Sequence, residues 1–274
     1  MKQVIVKKGI TVIEEVPSPS VSDNTVLVKT AYSCISAGTE VSDVKSTGGS
    51  LVQKALKKPE KVKMVIDMAL SDGLQATWNR VTNKLETGIA IGYSLSGTII
   101  EVGKNIENLK VGDKVACAGA GLANHAEFVE VPKNLVVKVP DGVDLDVAST
   151  VTMGSIAMQG VRRAAPQIGE YIVVIGLGIL GQITVELLKA SGCKVIGIDL
   201  DDRRIKTALD SGMFYGLNPK SDNVVEKVIS ITGGYGADCV MIATATSSNA
   251  PLDQAFQMSR KKGRVVLVGT VGME

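Results

Sequence analysis

Apolar and polar residues alternate in short runs through the first half of the chain. Residues 4–6, 26–29, 97–102, 114–116 and 128–131 are β-type segments separated by Gly, Pro, Asn and Asp, the residues that end strands and favour turns. To about Asp141 the pattern predicts a compact β-rich domain. One stretch departs from it. Residues 51–85 are rich in Lys, Leu and Met, with Val62, Val65, Ile66 and Ala69 at spacings of three and four. That period predicts one or two helices inserted in the β domain. Such an amphipathic helix packs on its own domain more often than it serves a partner.

From Asp144 onward helical periodicity alternates with apolar strands. Helices are expected at 146–165, 180–190, 202–210, 224–231 and 252–258, and strands at 171–175, 194–198, near 213–215, 238–243 and 264–268. Strands alternating with helices require right-handed crossovers, and so a parallel sheet with helices on both faces. The expected architecture is α/β: a β-rich domain over 1–143, then a doubly wound sheet of the Rossmann type over 144–274.

Composition narrows the function classes. The chain has 274 residues, 45% apolar and 21% charged, enough for two globular domains. Thirty basic against twenty-eight acidic side chains leave a net charge of +2, and aromatics are only 3%. Neither a basic field nor a base-stacking surface points to nucleic acid. Cys34, Cys117, Cys193 and Cys239 show no short spacing, which argues for a reducing compartment and against a disulfide framework or a zinc ribbon. Charge interrupts the first apolar residues too early for a signal peptide, and no uninterrupted apolar run approaches the roughly 18 residues of a membrane span. A cytoplasmic protein without membrane partners is expected.

The most informative motif follows the first strand of the second half. YIVVI runs into Gly176-Leu177-Gly178-Ile179-Leu180-Gly181 and then an apolar helix. Gly176 permits a tight turn, Gly178 lets backbone approach a pyrophosphate, and Gly181 allows close helix–strand packing. Ile179 and Leu180 open the helix whose free N–H groups and positive dipole end attract phosphate. The next strand ends at Asp199, eighteen residues beyond Gly181. An acid there can accept from both adenosine ribose hydroxyls, and its charge repels a 2′-phosphate. Arg203 and Arg204 act against that preference, because an arginine beside the acid can hold the 2′-phosphate. NAD is expected over NADP.

With these residues placed, the chain resembles the medium-chain dehydrogenase/reductase superfamily across nearly its whole length. The resemblance is carried by VLVKTAYSCISAGTE, GYSLSGTIIEVG, NLKVGDKVA and the dinucleotide core. The forms SAGTE, GYS-x-SG and ANHAE are similar to one branch, which holds bacteriochlorophyllide-dehydrogenase-like proteins and two-part enzymes fused to a sugar-oxidoreductase-like domain. The resemblance implies a GroES-like N-terminal domain and an alcohol or carbonyl substrate, with a sugar or nucleotide sugar suggested by the fused relatives. A homo-oligomer or a fused C-terminal oxidoreductase domain is compatible with it.

The zinc of better-known members does not carry over by motif register. Their Cys, His and Cys ligands correspond here to Ser36, Tyr93 and Thr152, and hydroxyls are poor zinc ligands. No metal is expected. Proton handling then falls to the hydroxyls of Ser36, Thr39, Tyr93 and Thr152, to Glu40 and to the single histidine, His125. Tyr93 is the preferred donor, against the alternative of a wall tyrosine with a satisfied hydroxyl. Glu40 is either an acid/base group or the cap of a helix over 41–45. His125 is a proton relay or a structural loop residue. Three functions stay open: a zinc-independent NAD-dependent oxidoreductase, a silent NAD-binding module supporting a fused or partner enzyme, and a regulator sensing the NAD/NADH ratio. Five strands are counted where two β-α-β-α-β halves need six, so an incomplete C-terminal part is expected.

Overall fold

The computed structural model describes residues 1–47, 73 and 88–272. The helices expected over 51–85 lie, apart from Gly73, outside the described residues. The chain divides into two compact units, Met1–Thr152 and Met153–Glu274.

The first unit holds strands β1 (Lys2–Lys7), β2 (Ile10–Glu15), β3 (Thr25–Ser33), β4 (Ile89–Ala90), β5 (Ser94–Val102), β6 (Lys114–Ala118), β7 (Phe128–Pro132) and β8 (Val136–Lys138). It also holds helices α1 (Ala37–Thr47) and α2 (Leu145–Ala148). An antiparallel sheet in the order β7-β3-β5-β6-β8 stands beside a three-stranded sheet, β2-β1-β4. Val26, Val28, Leu95, Ile99, Val115, Val129 and Val131 form the core. Each such side chain, fully buried, contributes about 1.5–3 kcal/mol. Gly97 in β5 is required by a close approach, since a Cβ there would run into the Lys29 carbonyl of β3. The bridge Gln3↔Ala126 and the bond from Val4 N–H to the His125 carbonyl (2.8 Å) fasten the 123–126 loop to β1.

β2, β4 and β8 were absent from the expected elements. They are short or exposed on one side, as the high exposure of Ile10 and Ile13 on β2 shows. The helix expected over 146–165 is broken in two. Ser149 Oγ donates to the Asp146 carbonyl (2.6 Å) and Thr150 Oγ1 to that of Val147 (2.8 Å). These local bonds interrupt the helix, and α3 (Val151–Ala164) begins afresh. Ser94 Oγ donates to the Ser149 carbonyl (2.6 Å) and Ser96 Oγ to that of Leu145. α2 is thereby fastened to β5.

The second unit is a parallel sheet in the order β11-β10-β9-β12-β13. Its strands are β9 (Tyr171–Ile175), β10 (Lys194–Ile198), β11 (Tyr215–Leu217), β12 (Ala237–Ile242) and β13 (Ser259–Leu267). The helices are α3, α4 (Ile179–Ala190), α5 (Asp202–Asp210), α6 (Val224–Ile231) and α7 (Ala250–Met258). Alternate residues of β9 enter different cores. Ile172 and Val174 pack with Val185 and Leu188 of α4 and Ile205 of α5. Val173 and Ile175 pack with Val228 of α6 and Ala255 and Met258 of α7. A strand buried on both faces reads as a continuous apolar run, which is why YIVVI marks the centre of the sheet.

Helices 202–210 and 224–231 fall where periodicity placed them. β11 lies two residues beyond its expected start, because Met213 donates its N–H to the Ala208 carbonyl (2.9 Å) and closes α5. α7 begins two residues earlier than expected, with Pro251 in its first turn, where the missing N–H costs nothing. Among the described residues, no helix is long and apolar enough to cross a membrane.

Candidate functional site

The glycine loop joins β9 to α4 at the carboxyl edge of the sheet. Gly176 has φ +95°, and a Cβ on it would stand 2.9 Å from the Thr244 backbone nitrogen. A Cβ on Gly181 would drive into the Gly176 carbonyl. Those two glycines are fixed by the protein itself. Gly178 is different. It caps α4 with no side-chain bond, and a Cβ there meets nothing within 4 Å. The open space in front of Gly178 lies at the N-terminus of a twelve-residue helix, which is the geometry a pyrophosphate needs. Ile179 and Leu180 occupy the first turn.

Asp199, 9% exposed, ends β10 and ties the loop together. Its Oδ2 accepts from the Leu177 N–H (2.7 Å), and its Oδ1 from the Asp201 N–H (2.9 Å). Arg204 Nη1 stands 3.6 Å from Oδ2. Gln182, which sequence reasoning passed over, brackets the same loop. Its Nε2 donates to the carbonyls of Leu177 (3.1 Å) and Arg204 (2.9 Å).

Gly176, Asp199, Arg203, Arg204, Lys220 and Thr244 are among the residues lining a cleft of about 840 Å³ in this unit. Arg203 donates from Nε (3.2 Å) and Nη2 (2.9 Å) to the two oxygens of Asp201. That hydrogen-bonded pairing holds the Asp201 carboxyl below the usual carboxylate range. Lys220 Nζ donates to the Leu200 carbonyl (3.0 Å). Both arginines therefore face acids of the β10–α5 turn. The donor set fits a dinucleotide: amides and open space for the diphosphate, a buried carboxylate for the ribose.

The N-terminal unit holds a second cluster. Glu40, 7% exposed, sits in the first turn of α1. Its Oε1 accepts from the Ser36 N–H (2.8 Å), and its Oε2 lies 3.2 Å from His125 Nε2. The other ring nitrogen, Nδ1, lies 2.8 Å from Ser33 Oγ at the end of β3. Gly92, at φ +98°, leaves room for this ring. A Cβ there would stand 2.8 Å from the His125 backbone nitrogen and 3.0 Å from two ring carbons. Ser36, Glu40 and His125 are thus brought together as candidates, whereas Ser33 was missed, because no motif singles out a serine at a strand end. Tyr93 precedes β5 and is half-buried, and its carbonyl accepts from the Gly119 N–H (3.0 Å) and from Thr152 Oγ1 (3.4 Å). The helix over Glu40 begins at Ala37, earlier than the expected 41.

These donors suit zinc poorly. Both His125 nitrogens and both Glu40 oxygens are engaged in the cluster itself. Burial, then the charge of Glu40, push the Cys34 thiol above its ordinary pKa. Among the described residues, no group of three or more His, Cys, Asp or Glu could hold an ion.

Comparison with known proteins gives this geometry a family. Residues 22–141 match the alcohol dehydrogenase GroES-like domain, and residues 180–274 match zinc-binding dehydrogenase. The chain belongs to the medium-chain, zinc-binding dehydrogenase superfamily, with a GroES-like first domain and a Rossmann-type second. NAD(P) binding is typical of that family. An alcohol dehydrogenase of Geobacillus stearothermophilus is 27% identical over 206 residues, covering 65% of this chain and 60% of the relative. A D-guloside 3-dehydrogenase of Shigella flexneri is 34% identical over 162 residues, covering 58% of this chain and 45% of the relative. The chain thus spans about half the length of the curated relatives it matches. The crystal structure of 2R,3R-butanediol dehydrogenase from Bacillus subtilis has the same fold, with TM-score 0.75, 22% identity, and coverage of 100% of this chain and 78% of that one.

Proposed function

We propose that this chain is the dinucleotide-binding and proton-handling part of an NAD(H)-dependent alcohol or carbonyl oxidoreductase that works without zinc. The observation that carries the reading is the glycine loop, open in front of Gly178 and closed by the buried Asp199. Bound NAD⁺ supplies the hydride acceptor. Gly178, Ile179 and Leu180 bind the diphosphate with backbone N–H groups, Gly176 and Gly181 shape the turn, and Asp199 takes the adenosine ribose. Arg203 and Arg204 are neutralised by Asp201 and Asp199, which favours NAD over NADP.

Proton transfer is assigned to the N-terminal unit, through Glu40 and His125 with Ser36 orienting the carboxylate, and with Tyr93 as the alternative hydroxyl donor. Hydroxyls at the metal-ligand register and an internally satisfied His–Glu pair support a zinc-independent site. The guloside dehydrogenase likeness suggests a secondary alcohol of a sugar.

The test pairs calorimetric NADH binding with turnover on ethanol, butane-2,3-diol and a methyl guloside, with chelator present. NADH should bind more tightly than NADPH, and turnover should survive chelation with well below one zinc per chain. A tightly held stoichiometric zinc, with activity lost on its removal, overturns the zinc-independent reading. NADH binding without turnover on any alcohol makes the chain a silent binding module.

A further inference from the structure

We propose that Gln182 is a positioning residue for the dinucleotide: it locks the diphosphate loop to the helix that carries Arg204, and through Arg204 it sets the preference for NADH over NADPH. This rests on the dinucleotide reading above. The Gln182 N–H donates to the Gly178 carbonyl (2.8 Å), so the residue lies one helical turn beyond the glycine that faces open space. Helical side chains lean toward the N-terminus of their helix, and this one reaches back to the loop. Its Nε2 donates to the Leu177 carbonyl (3.1 Å) and to the Arg204 carbonyl in the first turn of α5 (2.9 Å). Both partners only accept, and a carboxamide nitrogen carries two hydrogens. The partners therefore settle which way the amide points, and both donors are used.

The bridge closes a ring. The Leu177 N–H donates to Asp199 Oδ2 (2.7 Å), and Arg204 Nη1 returns to that same oxygen at 3.6 Å. Leu177 is held at its N–H by the acid and at its carbonyl by Gln182. Arg204 is held at its backbone by Gln182 and at its guanidinium by the acid. α4 and α5 are each anchored in the core without this bridge, through Val185 and Leu188 and through Ile205 and Ala208. What Gln182 adds is the spacing between the two helix starts beside the cleft that Asp199 and Arg204 line.

Loss of the bridge would act on the two cofactors unequally. With the Arg204 backbone released, the guanidinium can leave Asp199 and meet a 2′-phosphate. The carboxylate, no longer held through Leu177 and Arg204 together, loses the placement that suits two ribose hydroxyls. NADH binding suffers from both changes, whereas NADPH binding gains from the first.

Calorimetric titration of the full chain with NADH and NADPH, beside urea denaturation, tests the assignment. Gln182→Met keeps the length of the arm and removes both donors. It should lower NADH affinity about ten-fold, within the range for a residue that modulates binding without touching the ligand. NADPH affinity should change less than about three-fold, and the urea midpoint should stay near that of the wild type. Gln182→Asn, whose arm is one methylene shorter, should give the same pattern and replaces the Met variant if that one does not fold. In an Arg204→Ala background, Gln182→Met should leave the ratio of the two affinities unchanged. Wild-type NADH affinity in the single variants overturns the assignment and leaves the dinucleotide reading standing. So do equal losses for both cofactors that follow a lower urea midpoint, or a ratio that still shifts without Arg204. A wild-type chain that binds neither cofactor overturns both.

Discussion

The loop of the C-terminal unit and the cluster of the N-terminal unit are made of different materials. The loop presents backbone amides from one continuous stretch, Gly176–Gly181, and its geometry depends on side chains being absent. The cluster joins side chains from separate segments, with Ser33 and His125 lying 92 residues apart. A backbone-built site is specified by where Cβ atoms are missing. A side-chain-built site is specified by partners that only the folded chain brings together.

Glycine substitutions break this comparison most forcefully. Gly181→Ala places a methyl group on the Gly176 carbonyl, so the helix must shift. The expected cost is about 3 kcal/mol or more of unfolding free energy, with loss of NADH binding. Gly178→Ala places its methyl in open space and should leave stability near that of the wild type while NADH binding falls at least about ten-fold, or roughly 1.4 kcal/mol. Urea denaturation beside NADH titration checks both. Equal stability losses in the two variants would show that Gly178 also serves the fold.

Gly92→Ala asks the same question of the N-terminal cluster. It combines a left-handed φ of +98° with a Cβ 2.8 Å from the His125 backbone nitrogen. A destabilisation of about 2 kcal/mol is expected, together with displacement of the His125 resonances. An unchanged His125 spectrum would mean that Gly92 does not hold the ring.

The unequal legibility of the two sites in the sequence follows from the same physics. The parallel sheet was recoverable because β9 is apolar at every position, and the loop because three glycines and Asp199 stand at fixed offsets. Ser33 and Gln182 escaped notice, since their roles depend on contacts that no spacing encodes. β2, β4 and β8 escaped because two-sided burial, the strongest strand signal, is missing there. The break between α2 and α3 escaped because Ser149 and Thr150 compete with the helix through bonds invisible to hydrophobic periodicity.

Asp199→Ala carries a smaller effect and sharpens the cofactor assignment. The carboxylate both accepts the Leu177 N–H and stands 3.6 Å from Arg204. Its removal should cost about 1–3 kcal/mol through the orphaned amide and release Arg204 toward a 2′-phosphate. The ratio of NADPH to NADH affinity should rise about ten-fold, on the scale of 1.4 kcal/mol per decade. Calorimetric titration with each cofactor measures it. An unchanged ratio would assign Asp199 to loop structure alone.

Tyr93→Phe should have the smallest effect, and it decides which group donates the proton. Tyr93 follows Gly92, and its carbonyl accepts from Gly119 and Thr152. Those backbone contacts do not involve the phenol oxygen, so the substitution leaves them in place. NADH affinity should be unchanged, because Tyr93 is not among the residues assigned to the cofactor. If the proton travels through Glu40 and His125, loss of the phenol lowers kcat by less than about ten-fold, short of the range for a positioned acid or base. If Tyr93 is the donor, the fall reaches about a hundred-fold and Glu40→Gln becomes the mild variant. Combining Tyr93→Phe with Glu40→Gln separates the cases further. Two groups on one path give a combined loss little greater than the larger single loss, whereas independent contributions add in free energy. Turnover of the two single variants and the double variant, measured on the same alcohol at saturating NAD⁺, therefore tells whether Tyr93 and Glu40 serve one path.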